Sequence, residues 1–271
     1  MPNRASLTLS LAEYALVKER GSYSPDEACQ LLAAGLPLAH ARSNITFIKL
    51  CRAAEMKLYS RCHLEELGKV PVDNDCVERE LGTEDCVFTY AGPFRLDERR
   101  RGECGFVFKP QIESRHRFGT PIATPFDSGA LRDYLLPSRT PDERKAFLKE
   151  HEMHAPGFRE FFALYLAKLF NSPWDYVEGL SPLLRDWLPF EGGDFRRWTF
   201  EVRFVRELRC ESLMAVFIPK NQSIINGVAE RIHDWEKQRV DVRLYNETAS
   251  AGGGDLLIEY IRYLREKFPQ A

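Results

Sequence analysis

The chain has 271 residues, 44% hydrophobic and 12% aromatic, with 38 Lys and Arg against 40 Asp and Glu for a formal net charge of -2. This supports one large domain, or one domain with a helical extension, and argues against a globally basic nucleic-acid binder. No apolar run approaches ~18 residues, so no membrane span is expected; Met1 to Ser10 lacks the basic-then-apolar layout of a secretion signal, and a cytoplasmic location is expected.

The first ~80 residues read as mostly helical. Leu11 to Arg20 is a short amphipathic candidate. Ser24-Pro25-Asp26-Glu27 reads as a helix start, with a capping Ser, Pro at the first helical position and Glu three residues after the cap. That helix should run through Leu32 and stop near Gly35 and Pro37. Asn44 to Leu67 carries a longer helical pattern on Ile48, Cys51, Met56, Tyr59 and Leu64, with Gly68 as its stop. His40 and His63 read as ordinary surface or core histidines.

From Asp85 the pattern changes. Cys86 to Tyr90 reads as a strand ended by Ala91-Gly92-Pro93, and Gly105 to Lys109 as a second strand closed by Pro110. Leu96 to Glu103 between them should be a solvated loop or hairpin. Thr120 to Ala130 is punctuated by Pro and Gly, as a strand remnant and loop. Thr140-Pro141-Asp142-Glu143 repeats the capping pattern, and Phe158 to Phe170 is apolar enough for a buried helix.

Trp198 to Val205 alternates apolar and polar residues, the period of a strand. Phe200, Val202 and Phe204 share one face; Thr199, Glu201 and Arg203 share the other. Leu213 to Ile218 is a further strand, separated by a charged hairpin at Arg206 to Glu211. A helix over Ile224 to Trp235, a strand over Val240 to Tyr245 and a terminal helix over Asp255 to Lys267 complete the chain. The class is α+β: a mixed central β-sheet with a helical N-terminal region and flanking helices. The division is residues 1–80 (helical) and 81–271 (α+β, carrying the site), or one continuous domain.

Seven cysteines, an odd number with no CxxC pair, read as reduced thiols rather than a disulfide framework or zinc site. His151 and His154 lack the i, i+4 spacing of a zinc protease helix, and Gly252-Gly253-Gly254 lacks the Lys-Ser/Thr of a phosphate loop. No metal ligands are assigned. Arg99-Arg100-Arg101, Arg115-His116-Arg117 and Arg196-Arg197 read singly as solvated loops; together they would make a phosphate-binding rim.

Chemistry concentrates in four segments: Tyr90-Ala91-Gly92-Pro93-Phe94-Arg95, Gly119 to Thr124, Pro125-Phe126-Asp127-Ser128-Gly129, and the strand with Glu201 and Arg203. Aromatic residues beside small and polar ones suit a concave site. The Glu201–Arg203 pair is either a surface ion pair or part of a cleft.

The order of these segments resembles the ADP-ribosyltransferase fold, in particular its bacterial toxin and phage-defence members. The resemblance spans roughly Phe88 to Arg203. It implies NAD as a substrate, held by Tyr90 and Arg95 on an early strand and supported by Thr124 and Ser128, with Phe126 or Tyr90 stacking on nicotinamide. It implies Glu201 as the catalytic carboxylate. Thr124-Pro125-Phe126-Asp127-Ser128 stands in place of the family's Ser-Thr-Ser. Thr199 stands where arginine-directed members carry an acid or Gln, which argues against an arginine-directed protein acceptor and leaves room for a nucleic-acid one; the clustered arginines favour nucleic acid, RNA or DNA, slightly over protein. A neutralising antitoxin protein is the implied partner. Two other classes stay open. One is a metal-dependent nuclease, since Asp127, Glu201 and Arg203 resemble an Asp…Glu-x-Lys arrangement that holds Mg²⁺. The other is a non-catalytic binding module that uses the charged strand face.

Overall fold

A computed structural model of the chain describes residues 30, 33–72, 74, 76–92, 103–110, 118–132, 136–154, 157–169, 200–247 and 254–268. The readings of Leu11 to Arg20, the Ser24 helix start, Arg95, the three arginine clusters and Thr199 lie outside the described residues.

Ten strands are described: β1 (Leu38–Ser43), β2 (Lys57–Tyr59), β3 (Cys86–Ala91), β4 (Glu103–Phe108), β5 (Ile122–Thr124), β6 (Met153–His154), β7 (Phe200–Val205), β8 (Glu207–Arg209), β9 (Leu213–Pro219) and β10 (Asp241–Tyr245). Eight form one sheet in the order β10-β9-β4-β1-β3-β7-β5-β6, and β2 pairs with β8 separately. Within the large sheet β9 and β10 run parallel and the other pairs antiparallel, so the sheet is mixed as expected. The helices are α1 (Asn44–Cys51), α2 (Arg61–Glu66), α3 (Val77–Leu81), α4 (Pro141–Glu150), α5 (Phe158–Leu169), α6 (Lys220–Ser223), α7 (Val228–Lys237) and α8 (Gly254–Lys267).

Aromatic side chains join helices to sheet. Phe47 of α1 packs between Phe106 of β4 and Trp235 of α7, at ring-centre distances of 5.5 and 6.1 Å. Phe217 of β9 meets Tyr260 and Tyr263 of α8 edge-on at 5.7 and 5.6 Å, a favoured geometry for opposing ring quadrupoles. On β7, Phe200 is enclosed by Phe158, Phe162 and Tyr165 of α5 at 6.0, 4.6 and 5.9 Å. Helix α4 starts with the expected capping box: Thr140 Oγ1 accepts from the Glu143 N–H and Glu143 accepts from the Thr140 N–H.

Three expectations are corrected. The helical stretch to residue 80 is interrupted by strands, and β1 lies deep in the sheet. Leu38-Ala39-His40-Ala41-Arg42-Ser43 has no β-branched residue, and its alanines favour helix. Pairing on both sides, with β3 and β4, overrides that preference. Asn44 to Leu67 is likewise not one helix. α1 ends at Cys51, β2 pairs with β8, and Ser60 then caps α2 by accepting from the His63 N–H at 3.1 Å. Finally, Arg206 to Glu211 is not a hairpin between β7 and β9, because β3, β1 and β4 lie between those strands. The chain turns at Arg206, whose φ of 68° is held by two backbone hydrogen bonds: Arg206 N–H to Asp85 O at 2.7 Å and Ser60 N–H to Arg206 O at 2.8 Å.

Candidate active site

The antiparallel registers of β3, β7 and β5 set Tyr90, Glu201 and Thr124 side by side in one row across the sheet. Directly opposed residues project to the same face. Phe88, Arg203 and Ile122 form the neighbouring row on that face. Phe200, Val202 and Phe204 point the other way, into the core with α5. The alternation read in the sequence is therefore the true pleat, but both faces are covered. Glu201 is 0% exposed and Arg203 2% exposed, so the pair is not a surface ion pair.

The loop after β5 reaches over Glu201. Thr124 Oγ1 donates to the Phe126 carbonyl at 2.9 Å and tightens the turn. The Ser128 N–H donates to Glu201 Oε2 at 3.2 Å, and the Gly129 N–H donates to Asp127 Oδ1 at 2.8 Å. Arg203 Nε lies 3.4 Å from Glu201 Oε1. That is ion-pair distance without hydrogen-bond geometry, so Oε1 has no hydrogen-bond donor among the described residues. Arg203 Nη2 donates to Glu152 Oε1 at 3.0 Å. Two buried carboxylates, Glu201 and Asp127, thus share one neighbourhood with the buried Arg203 guanidinium.

Burial is the main reason why the Glu201 carboxyl is pushed up, to about 8; the nearby Asp127 charge adds to it, and Arg203 and the Ser128 hydrogen bonds oppose it. Cys86 of β3 lies in the same field and is raised to about 12, chiefly by burial. His40, buried on β1, is lowered to about 3 by burial and then by Arg42; its Nδ1 lies 2.6 Å from the Phe88 carbonyl.

Of the residues singled out in the sequence, Tyr90, Thr124, Ser128 and Glu201 come together. Phe126 is close in the chain, but its ring packs on Phe147 and His151 at 5.7 and 5.9 Å, inside the protein. Arg95 is outside the described residues. Glu152 was not anticipated. It lies between the two histidines of His151-Glu152-Met153-His154, and only the fold reveals its link to Arg203. His151 closes the end of α4 and His154 pairs with Ile122 in β6, so the two do not share a helix face. Asp127 and Glu201 are also the two carboxylates of the nuclease reading. Here the Gly129 amide takes Asp127 Oδ1, and the Ser128 amide takes Glu201 Oε2. This suits held, hydrogen-bonded acids better than an open cation cradle. Among the described residues no three His, Cys, Asp or Glu side chains gather as metal ligands, and no helix is long and apolar enough to cross a membrane.

No protein-family model and no curated protein matches the chain. Among solved structures, Thermus sp. 2.9 DarT in complex with NAD+ overlaps with a TM-score of 0.41 at 12% identity, over 82% of this chain and 97% of that one. The same protein in complex with ADP-ribosylated ssDNA gives 0.39 at 11% identity, over 77% and 93%. Thermosipho africanus DarTG in complex with ADP-ribose gives 0.39 at 6% identity, over 77% and 49%.

Proposed function

We propose that this chain is an NAD-dependent ADP-ribosyltransferase in which Glu201 is the catalytic carboxylate. The observation that carries the reading is the row Tyr90–Glu201–Thr124, closed over by the Ser128 amide. Residues from three separate segments meet at one carboxylate.

The chemistry follows from charge. When nicotinamide leaves, the ribose becomes oxocarbenium-like, and a fixed carboxylate stabilises that developing positive charge more than it stabilises the ground state. Glu201 Oε2 is held by Ser128, while Oε1 is the oxygen available to accept from a ribose hydroxyl. Tyr90, beside Glu201, forms the aromatic wall. Arg95 would clamp the diphosphate through its permanently charged fork. Phe126 supports the loop from beneath instead of stacking on the ligand. With its carboxyl raised by burial, Glu201 favours its protonated form near neutral pH. The cationic nicotinamide ring of NAD reverses this, because an adjacent positive charge favours the ionised carboxylate. Glu201 is fully covered, so the cover must shift to admit NAD.

The acceptor is a macromolecule, with nucleic acid favoured over protein. Thr199 replaces the residue associated with arginine acceptors, and three arginine clusters lie in segments that flank the site in sequence. A toxin or phage-defence role in the cytoplasm, checked by an antitoxin protein, fits such an activity. The test is release of nicotinamide from NAD by purified protein, without added metal, in the presence of single-stranded DNA, RNA or protein. Glu201→Gln should lower turnover by about 100-fold or more. If the intact protein neither binds NAD nor consumes it with any acceptor, the proposal fails.

A further inference from the structure

We infer that Arg203 and Glu152 act as a positioning pair for Glu201, with Glu152 anchoring the guanidinium whose Nε faces the carboxylate. The functional meaning of the pair rests on the transferase reading above; its existence does not. Three observations carry it. Arg203 is one of the largest fully buried side chains, placed on β7 between the apolar Val202 and Phe204. Its guanidinium faces two carboxylates by different nitrogens, Nε toward Glu201 Oε1 at 3.4 Å and Nη2 to Glu152 Oε1 at 3.0 Å. Those carboxylates come from different elements, β7 and the link between α4 and β6. Burying a charged side chain this deeply is costly unless its partners are fixed. The planar fork of arginine can serve two fixed acceptors at once, which a lysine ammonium does less rigidly.

The hydrogen bond to Glu152 holds the guanidinium plane. With that plane fixed, Nε sits beside Glu201 without hydrogen-bonding it, leaving Oε1 oriented but not consumed. Among the described residues, the charged and titratable groups around Glu201 are Arg203 on its own strand, Asp127 on the loop after β5, Tyr90 and Cys86 on β3, and Glu152 beyond Arg203.

The pair can be tested without NAD. Selective ¹³C labelling of glutamate, with Glu201→Gln to identify the resonance, gives the titration midpoint of the Glu201 carboxyl. Arg203→Met should raise that midpoint by about one pH unit or more, and Arg203→Lys, which keeps the charge, should restore most of the shift. Glu152→Ala is the sharper arm. Loss of a negative charge alone would move the midpoint down, whereas loss of the anchor frees the guanidinium to swing away and moves it up. An upward move supports the pair; a downward move or none overturns it. If Arg203→Met does not fold, Glu152→Ala decides alone. With NAD turnover established, Glu152→Ala should also lower kcat roughly tenfold with little change in KM. A wild-type protein that never consumes NAD would sink the transferase reading while leaving the titration result to stand or fall by itself.

Discussion

The Ser128 N–H donates to Glu201 Oε2 across 73 residues of sequence, tying the loop after β5 to the middle of β7. A carboxylate in the sheet and the amide that covers it are therefore one unit. If NAD is admitted beside Glu201, this hydrogen bond is the contact that must loosen or reform. Hydrogen exchange at the Ser128 amide should change on addition of NAD, while amides of Phe106 and Val216 in β4 and β9 should not. Unchanged exchange at Ser128 with saturating NAD would argue that the cover does not participate.

Glu201 also links stability to pH. Its folded-state value is raised by burial above the usual 4.5, to about 8. The folded protein therefore holds this proton more tightly than the unfolded chain. Its contribution is fully present below the unfolded value and is lost as pH rises through the folded one. Glu201→Gln, which cannot ionise, should gain stability relative to wild type between pH 5 and 8, measured by urea unfolding at each pH. A constant difference across that range would contradict the assignment.

His40 has the opposite sign. Burial and Arg42 lower it to about 3, so the folded state keeps the ring neutral. That stability is present above the unfolded value of about 6.5 and lost as pH falls toward the folded one. Nδ1–H, as the assigned donor, satisfies the Phe88 carbonyl at 2.6 Å. His40→Gln can still donate a hydrogen bond but cannot take up a proton. Its acid unfolding curve should be shallower than wild type over pH 6.5 to 3; an identical acid limb would show that His40 does not titrate in this range.

The aromatic nest around Phe200 should dominate local stability. Phe162 is 4.6 Å away and Phe158 6.0 Å, with Tyr165 edge-on at 5.9 Å. Phe200→Ala should cost about 3–5 kcal/mol in chemical unfolding. Phe200→Leu should cost much less. Thr140→Ala, at the α4 capping box, should lower Tm by only about 2–4 °C. Similar losses for Phe200→Ala and Thr140→Ala would mean that the nest is not a tight core.

The sequence made some of this legible. Cys86-Val87-Phe88-Thr89-Tyr90 carries strand preference in its own residues, and Thr140 and Glu143 announce the start of α4. The pleat of β7 was readable because Phe200, Val202 and Phe204 alternate with Glu201 and Arg203. Burial of the charged face was not readable, since it depends on a loop 73 residues away. β1 was hidden because its strand state comes from two neighbours rather than from Leu38 to Ser43 themselves. Glu152 was hidden because its partner, Arg203, is 51 residues further along the chain.

The place of β1 bears on how the molecule can be divided. Lying between β3 and β4, it is a keystone contributed by the early part of the chain. A fragment beginning at residue 81 would retain Tyr90 and Glu201 but lose that stone. The inner edges of β3 and β4 would be left bare, with unpaired backbone groups ready to pair with other chains. Such a fragment would precipitate rather than report on activity. Any truncation meant to keep the sheet intact should therefore retain Leu38–Ser43.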